Sequence, residues 1–95
     1  MKKGQKLYQE AKNIILGGNM LLSKRPEMFL PNLWPSYYSK AKDIYVWDLN
    51  KKKYVDMICA VGQSILGYSN IKLNSKILKS IKMGNMTTLN CPEEV

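Results

Sequence analysis

The chain has 95 residues, 45% of them apolar, and a formal net charge of +8. Its length allows one small unit at most, and its apolar fraction sets it apart from disordered chains. It has no histidine, and its two cysteines, Cys59 and Cys91, stand outside any CxxC spacing; this argues against a zinc site and against Ser-His or Cys-His nucleophile pairs.

The N-terminal MKKGQKLYQEAKN has basic residues with no apolar core behind them, so it does not read as a signal peptide. No apolar run approaches the roughly 20 residues of a bilayer span. The expected compartment is the cytoplasm, with both cysteines reduced and structural. Gln5 to Leu16 is expected to be a helix, since Leu7, Ala11, Ile14 and Ile15 fall on one face. Gly17-Gly18 ends it with positive φ.

Asn19 to Ser36 holds Pro26, Pro31 and Pro35 among Met20, Leu21, Leu22, Met28, Phe29, Leu30, Leu33 and Trp34. Prolines discourage regular structure, and a free linker would be polar. Residues 19–36 are therefore expected to be an extended apolar arm lying against something. A hairpin follows, Ile44 to Leu49 and Tyr54 to Ile58, around a polar turn in which Asn50 tolerates left-handed geometry. Tyr37 to Ala41 extends the first strand backwards.

Asn70 is placed to cap a helix running to Lys82, with Gly84 at its end. Lys72, Lys76 and Lys79 share one side of that helix, with Lys82 at the edge. Leu73, Ile77 and Ile81 lie opposite, so a solvated face and a buried face are expected. Pro92, Glu93 and Glu94 signal a further helix start just before Val95. A finished domain seldom stops there, so the chain reads as a fragment of something larger or as an arm completing a bigger body. The expected fold class is α+β.

No catalytic set is complete in the sequence. GQSILG at 62–67 has Walker A spacing, but Tyr68 and Ser69 replace the Lys-Ser/Thr that holds phosphate and magnesium. Gly62 and Gly67 then serve a tight turn or a close backbone approach. Asp48 and Asp56 read as strand-end carboxylates that pin turns, with a general acid/base pair as the other possibility. Lys24-Arg25 is either a surface charge pair or an anchor for a carboxylate or phosphate. Trp34, Tyr37, Tyr38, Tyr45 and Trp47 interleave with lysines, as core positions do and as a single-strand nucleic-acid surface does.

Taken in order, a helix ending in GG, a strand ending in WDLNKKKYVDM, then AVGQSILGYSN, an amphipathic helix and NCPEEV resemble one family. The chain resembles the N-terminal part of class III aminotransferases of PLP fold type I, nearest the glutamate-1-semialdehyde 2,1-aminomutase branch. Asp48, Tyr54, Val55 and Asp56 match the family's hairpin pattern, with Asn50 at its second Asp and Lys51 at its turn glycine. Gly62, Leu66 and Gly67 match the step that follows, with Tyr68 for the usual His. GGNMLLSKRPEMFLP resembles a subgroup associated with nucleotide-sugar or surface-polysaccharide gene clusters.

The resemblance implies a homodimer with active sites at the subunit interface and a small-molecule substrate. It implies pyridoxal 5'-phosphate (PLP) in the full-length protein, bound by residues outside this chain. It passes the substrate-carboxylate role to Lys24 or Arg25. It makes Val61, Gly62 and Gln63 part of the substrate-pocket wall, with Val61 where the branch has tryptophan. The chain alone is expected to be inactive. The alternative is a standalone basic nucleic-acid-binding module, and a weaker one is a standalone interaction arm.

Overall fold

The computed structural model describes residues 1–84, 87–90, 92 and 95. It contains two α-helices, α1 (Lys3–Lys12) and α2 (Ile71–Met83), and three strands, β1 (Tyr38–Lys42), β2 (Tyr45–Asp48) and β3 (Lys53–Val55). The strands form one antiparallel sheet in the order β1-β2-β3. The chain is thus α+β. The helix start expected at Pro92 rests on Glu93 and Glu94, which lie outside the described residues, as does Cys91.

Helix α1 begins earlier and ends sooner than its apolar spacing predicts. Its buried residues are Gly4, Gln5 and Tyr8, whereas Leu7, Ile14 and Ile15 are exposed. The arm decides this. Gln5 Nε2 donates to the Trp34 carbonyl at 2.9 Å, and a Cβ on Gly4 would sit 3.6 Å from the Ser36 nitrogen. Backbone thus lies where an apolar side chain was expected to pack. Gly17 and Gly18 both have φ 72 and turn the chain after α1.

Between α1 and the sheet the chain makes three single 3-10 turns, Leu16–Gly18, Leu22–Lys24 and Pro26–Met28. Pro26 is buried, and Phe29 stacks on Trp34 with ring centroids 4.2 Å apart. Lys12 Nζ pairs with Glu27 Oε1 at 2.8 Å and lies 4.8 Å from the centre of the Tyr8 ring. The Tyr8 hydroxyl lies 2.9 Å from Glu27 Oε2 and 3.1 Å from the Gly17 carbonyl; its one proton goes to the carboxylate, the stronger acceptor.

Tyr38–Lys42 is a strand of its own and does not extend the next one. Asp43, at φ 54, turns the chain so that Lys42 pairs with Tyr45 and Ala41 with Val46. Aspartate tolerates that left-handed geometry better than most residues. On the other side Tyr45 pairs with Val55 and Trp47 with Lys53. In the β2–β3 turn it is Lys51, not Asn50, that takes positive φ.

Asn70 caps α2 as its sequence position predicts, its Oδ1 accepting from the Lys72 and Leu73 amides at 3.1 Å each. Such a cap contributes about 1 kcal/mol. The lysine face is solvated. The opposite face is not buried: Leu73, Ile77 and Ile81 remain exposed, and no residue of α2 is buried.

The same openness runs through the molecule. Glycines aside, Tyr8 and Pro26 are the buried apolar residues among those described. The accessible surface is 8238 Å², against about 5600 Å² for a compact monomer of this mass. The radius of gyration is 16.2 Å, against about 12 Å for a compact chain of this length. These elements leave much apolar surface exposed.

Candidate functional site

The site builds from the end of the sheet. Asp43 and Tyr68 form an antiparallel bridge: the Asp43 amide donates to the Tyr68 carbonyl at 2.9 Å, and the Tyr68 amide donates to the Asp43 carbonyl at 2.8 Å. Gly67 permits this contact, since a Cβ there would sit 3.1 Å from the Asp43 Cα and its φ is 78. The Asp56 amide donates to the Ile44 carbonyl at 2.8 Å. Residues 56 and 68 are therefore both tied to the β1–β2 turn.

Between them runs an unusual turn. Cys59, Ala60 and Val61 have φ of 52, 51 and 60, and Gly62 follows at 83. The turn closes through bonds from Val61 N to Ile58 O, from Gly62 N to Cys59 O and from Ser64 N to Cys59 O. It is a left-handed helical turn in which three residues carry a Cβ. Each such residue costs about 1–2 kcal/mol, most for β-branched valine. Local sequence does not favour this geometry, so contacts must impose it.

The Asp56 carboxylate supplies them. Its Oδ1 accepts from the Ile58 amide at 2.8 Å and the Cys59 amide at 3.1 Å, and its Oδ2 accepts from the Tyr68 hydroxyl. Burial opposes the Asp56 charge, but these three donors outweigh it and hold the carboxyl below its ordinary range. The hydrogen bond to Asp56, with burial and the nearby negative charge, pushes the Tyr68 phenol up to about 12. A general acid/base pair of Asp48 and Asp56 finds no support here, because each carboxylate pins its own turn. Asp48 is 4% exposed. It accepts from the Asn50 amide at 2.8 Å, the Lys52 amide at 2.9 Å and the Tyr54 hydroxyl at 3.1 Å.

Asp43, Asp56, Cys59, Gly62, Ile65 and Tyr68 line a cleft of about 220 Å³. Gly62 alone of the three expected wall residues lines it; Val61 is 83% exposed and Gln63 is exposed as well. A smaller cleft of about 30 Å³, between α1 and the arm, is lined by Gln5, Tyr8, Lys12 and Glu27 among others. Lys24 and Arg25 line neither cleft. Arg25 Nε and Nη2 donate to the Asn19 carbonyl at 3.3 and 3.2 Å, closing the loop after Gly17. Lys24 is exposed. Cys59 is a free, exposed cysteine.

Of the interleaved aromatics, Tyr45 and Trp47 are paired with lysines within the chain. Lys53 Nζ lies 3.5 Å from the Tyr45 ring centre and 5.6 Å from that of Trp47, and Lys40 Nζ lies 5.0 Å from Trp47. Lys52 Nζ lies 5.1 Å from the Tyr54 ring centre. These are cation–π distances.

Comparison with known proteins places this arrangement. No family model matches the chain. It is 39% identical over 79 residues to glutamate-1-semialdehyde 2,1-aminomutase of Wigglesworthia glossinidia brevipalpis, covering 83% of this chain and 18% of that one. The aminomutase of the same name from Methanocaldococcus jannaschii is 30% identical, over 99% of this chain and 20% of that one. The 3-aminobutyryl-CoA aminotransferase of Cloacimonas acidaminovorans is 29% identical over 86% of this chain. Over most of its length the chain thus resembles a segment of these aminomutases and aminotransferases.

The fold agrees with that family. The structure of Sphingopyxis sp. MTA144 FumI, solved in its PLP internal aldimine form, superimposes with a TM-score of 0.78 at 24% identity over 95% of this chain. The chain spans about a fifth of the length of the curated relatives it matches. An aminotransferase segment of that extent accounts for the uncovered apolar surface. In the sequence Asp56 reads as a carboxylate that pins a turn, but neither the left-handed geometry of that turn nor the bond from Tyr68 is legible there. The available signal was Asp56 two and three residues before the amides it caps, the spacing of an Asx turn.

Proposed function

We propose that this chain is part of a PLP-dependent aminotransferase or aminomutase, a cytoplasmic homodimer acting on a small amino- or keto/aldehyde-bearing molecule. The substrate class is glutamate-1-semialdehyde-like or nucleotide-sugar-related. The observation that carries this reading is the match to aminomutases along 83% and 99% of the chain, together with the shared fold. In it, Val61, Gly62 and Gln63 contribute the substrate-pocket wall, and an outward-facing Val61 awaits the remainder of that pocket. Lys24 is the better placed anion anchor, because Arg25 is already bonded to Asn19.

The residues present do not fit the attachment point of PLP. Every lysine is exposed, whereas a lysine that holds an aldehyde cofactor works from a desolvated pocket with a lowered pKa. Lys12 is shifted the opposite way, raised by its hydrogen bond to Glu27. PLP, whose role is that of an electron sink, is therefore held by other parts of the full-length protein. This chain's contribution is to bind, orient and enclose the substrate.

The test uses the full-length protein. It is expected to purify with bound PLP and to transfer or relocate an amino group on glutamate 1-semialdehyde or an amino-sugar precursor. Borohydride reduction and peptide mass spectrometry are expected to find the cofactor lysine outside these 95 residues; a pyridoxyl group on any lysine here overturns the assignment. Binding of single-stranded nucleic acid that weakens steeply between low and moderate salt, without PLP, would favour the nucleic-acid module instead.

A further inference from the structure

We propose that Asp56 and Tyr68 are positioning residues: the hydrogen bond between them holds the left-handed Cys59–Gly62 turn, and with it the substrate-facing wall, in its working shape. This rests on the aminotransferase reading for the word substrate. The tether itself stands on geometry alone.

Three observations converge. The turn combines three consecutive positive-φ residues that carry a Cβ, a conformation that persists only where its surroundings over-determine it. One carboxylate reaches both ends of the segment, taking the Ile58 and Cys59 amides at its start and the Tyr68 hydroxyl at its close. Both anchors are themselves fixed to the β1–β2 turn, Asp56 through Ile44 and Tyr68 through the two-way bridge to Asp43. The sheet end is thus the frame, Asp56–Tyr68 the strut, and residues 58–64 the part held against it. The cleft of about 220 Å³ lies between them, with Asp56, Cys59, Gly62 and Tyr68 all on its lining. A shift of the strut changes the shape of that cleft directly.

A purely structural strut would affect folding alone. A positioning strut affects substrate binding in protein that remains folded and loaded with cofactor. Tyr68→Phe removes one hydroxyl and little else, so it separates the two. In the full-length holoenzyme it is expected to raise KM for the amino substrate about tenfold, the equivalent of one hydrogen bond to a charged group, with kcat changed less than about twofold and PLP content unchanged. Hydrogen exchange at the amides of residues 58–64 is expected to quicken in the same variant, with α1 unaffected. Tyr68→His, which restores an N–H donor, is expected to recover most of both effects. Asp56→Ala removes both the cap and the strut and is expected to exceed Tyr68→Phe in exchange rate.

Unchanged KM in an active Tyr68→Phe enzyme overturns the proposal, whether or not exchange quickens. Unchanged exchange overturns it as well. If the wild-type protein neither binds PLP nor turns over any amino substrate, the aminotransferase reading falls, and the exchange comparison still decides the tether.

Discussion

The guanidinium of Arg25 lies where a Cβ on Gly17 would be. A methyl group built on Gly17 would overlap Arg25 Cζ and Nη2, and Gly17 has φ 72. Both facts require glycine at this position. Gly17→Ala is expected to destabilise the protein by about 1–2 kcal/mol from the backbone alone, and by more because Arg25 must leave the Asn19 carbonyl. A shift in the urea midpoint of the full-length protein, with unchanged slope, measures it.

The adjacent pair then divides into two roles. Arg25→Ala is expected to lower stability by about 1 kcal/mol through the loss of its bonds to Asn19, with little effect on the KM of folded enzyme. Lys24→Ala is expected to leave the melting temperature unchanged and to raise KM for a carboxylate- or phosphate-bearing substrate about tenfold. Steady-state kinetics and calorimetry on the two variants distinguish this from the reverse assignment.

Asp48 anchors the β2–β3 turn and carries a further prediction about stability. Burial works against its charge, but the amides of Lys52 and Asn50 and the Tyr54 hydroxyl more than compensate, so its pKa is lowered. Asp48→Ala is expected to cost about 2–3 kcal/mol, because buried donors lose a charged acceptor. Tyr54→Phe, which removes one of the three, is expected to cost about 1 kcal/mol. Equilibrium denaturation of both variants checks the ratio.

Acid sensitivity should follow Glu27. Lys12 first, then its own backbone amide and the Tyr8 hydroxyl, lower its carboxyl from 4.5 to about 2. A lowered folded-state pKa gives stability that is full above the unfolded value, near 4.5, and is lost as pH falls toward about 2. Lys12 is shifted upward by the same pair, so its share is full below 10.5 and is lost only at higher pH. Glu27→Gln is expected to be less stable than wild type from pH 5 to 9, with the gap closing between about pH 4.5 and 2. Acid unfolding followed by circular dichroism tests this. Both side chains are well exposed, so raising the salt concentration should also narrow the gap.

Local signals in the sequence read well where the cause is local. Asn70 and Gly84 bound α2 because a side-chain acceptor and a positive-φ residue act within one turn of the helix. Asp48 and Asp56 pin turns because their oxygens reach amides two to four residues on. Asp43, a turn residue by type, makes the β1–β2 turn where the sequence reads as one strand extended backwards. The buried face of α1 was illegible for a different reason. Leu7, Ile14 and Ile15 carry the helical apolar spacing, yet the arm brings backbone against Gly4 and Gln5 and the Glu27 carboxylate to Tyr8.

By itself, then, the sequence determined the helices, the β2–β3 hairpin, the glycines of the 62–67 segment and the family resemblance, since each depends on neighbours in the chain. Only the tertiary structure decided that Cys59, Ala60 and Val61 turn left-handed, that Arg25 closes onto Asn19, and that Asp56 joins Tyr68 twelve residues away. No local preference favours those conformations. They arise where contacts between distant segments outweigh the intrinsic cost of the backbone.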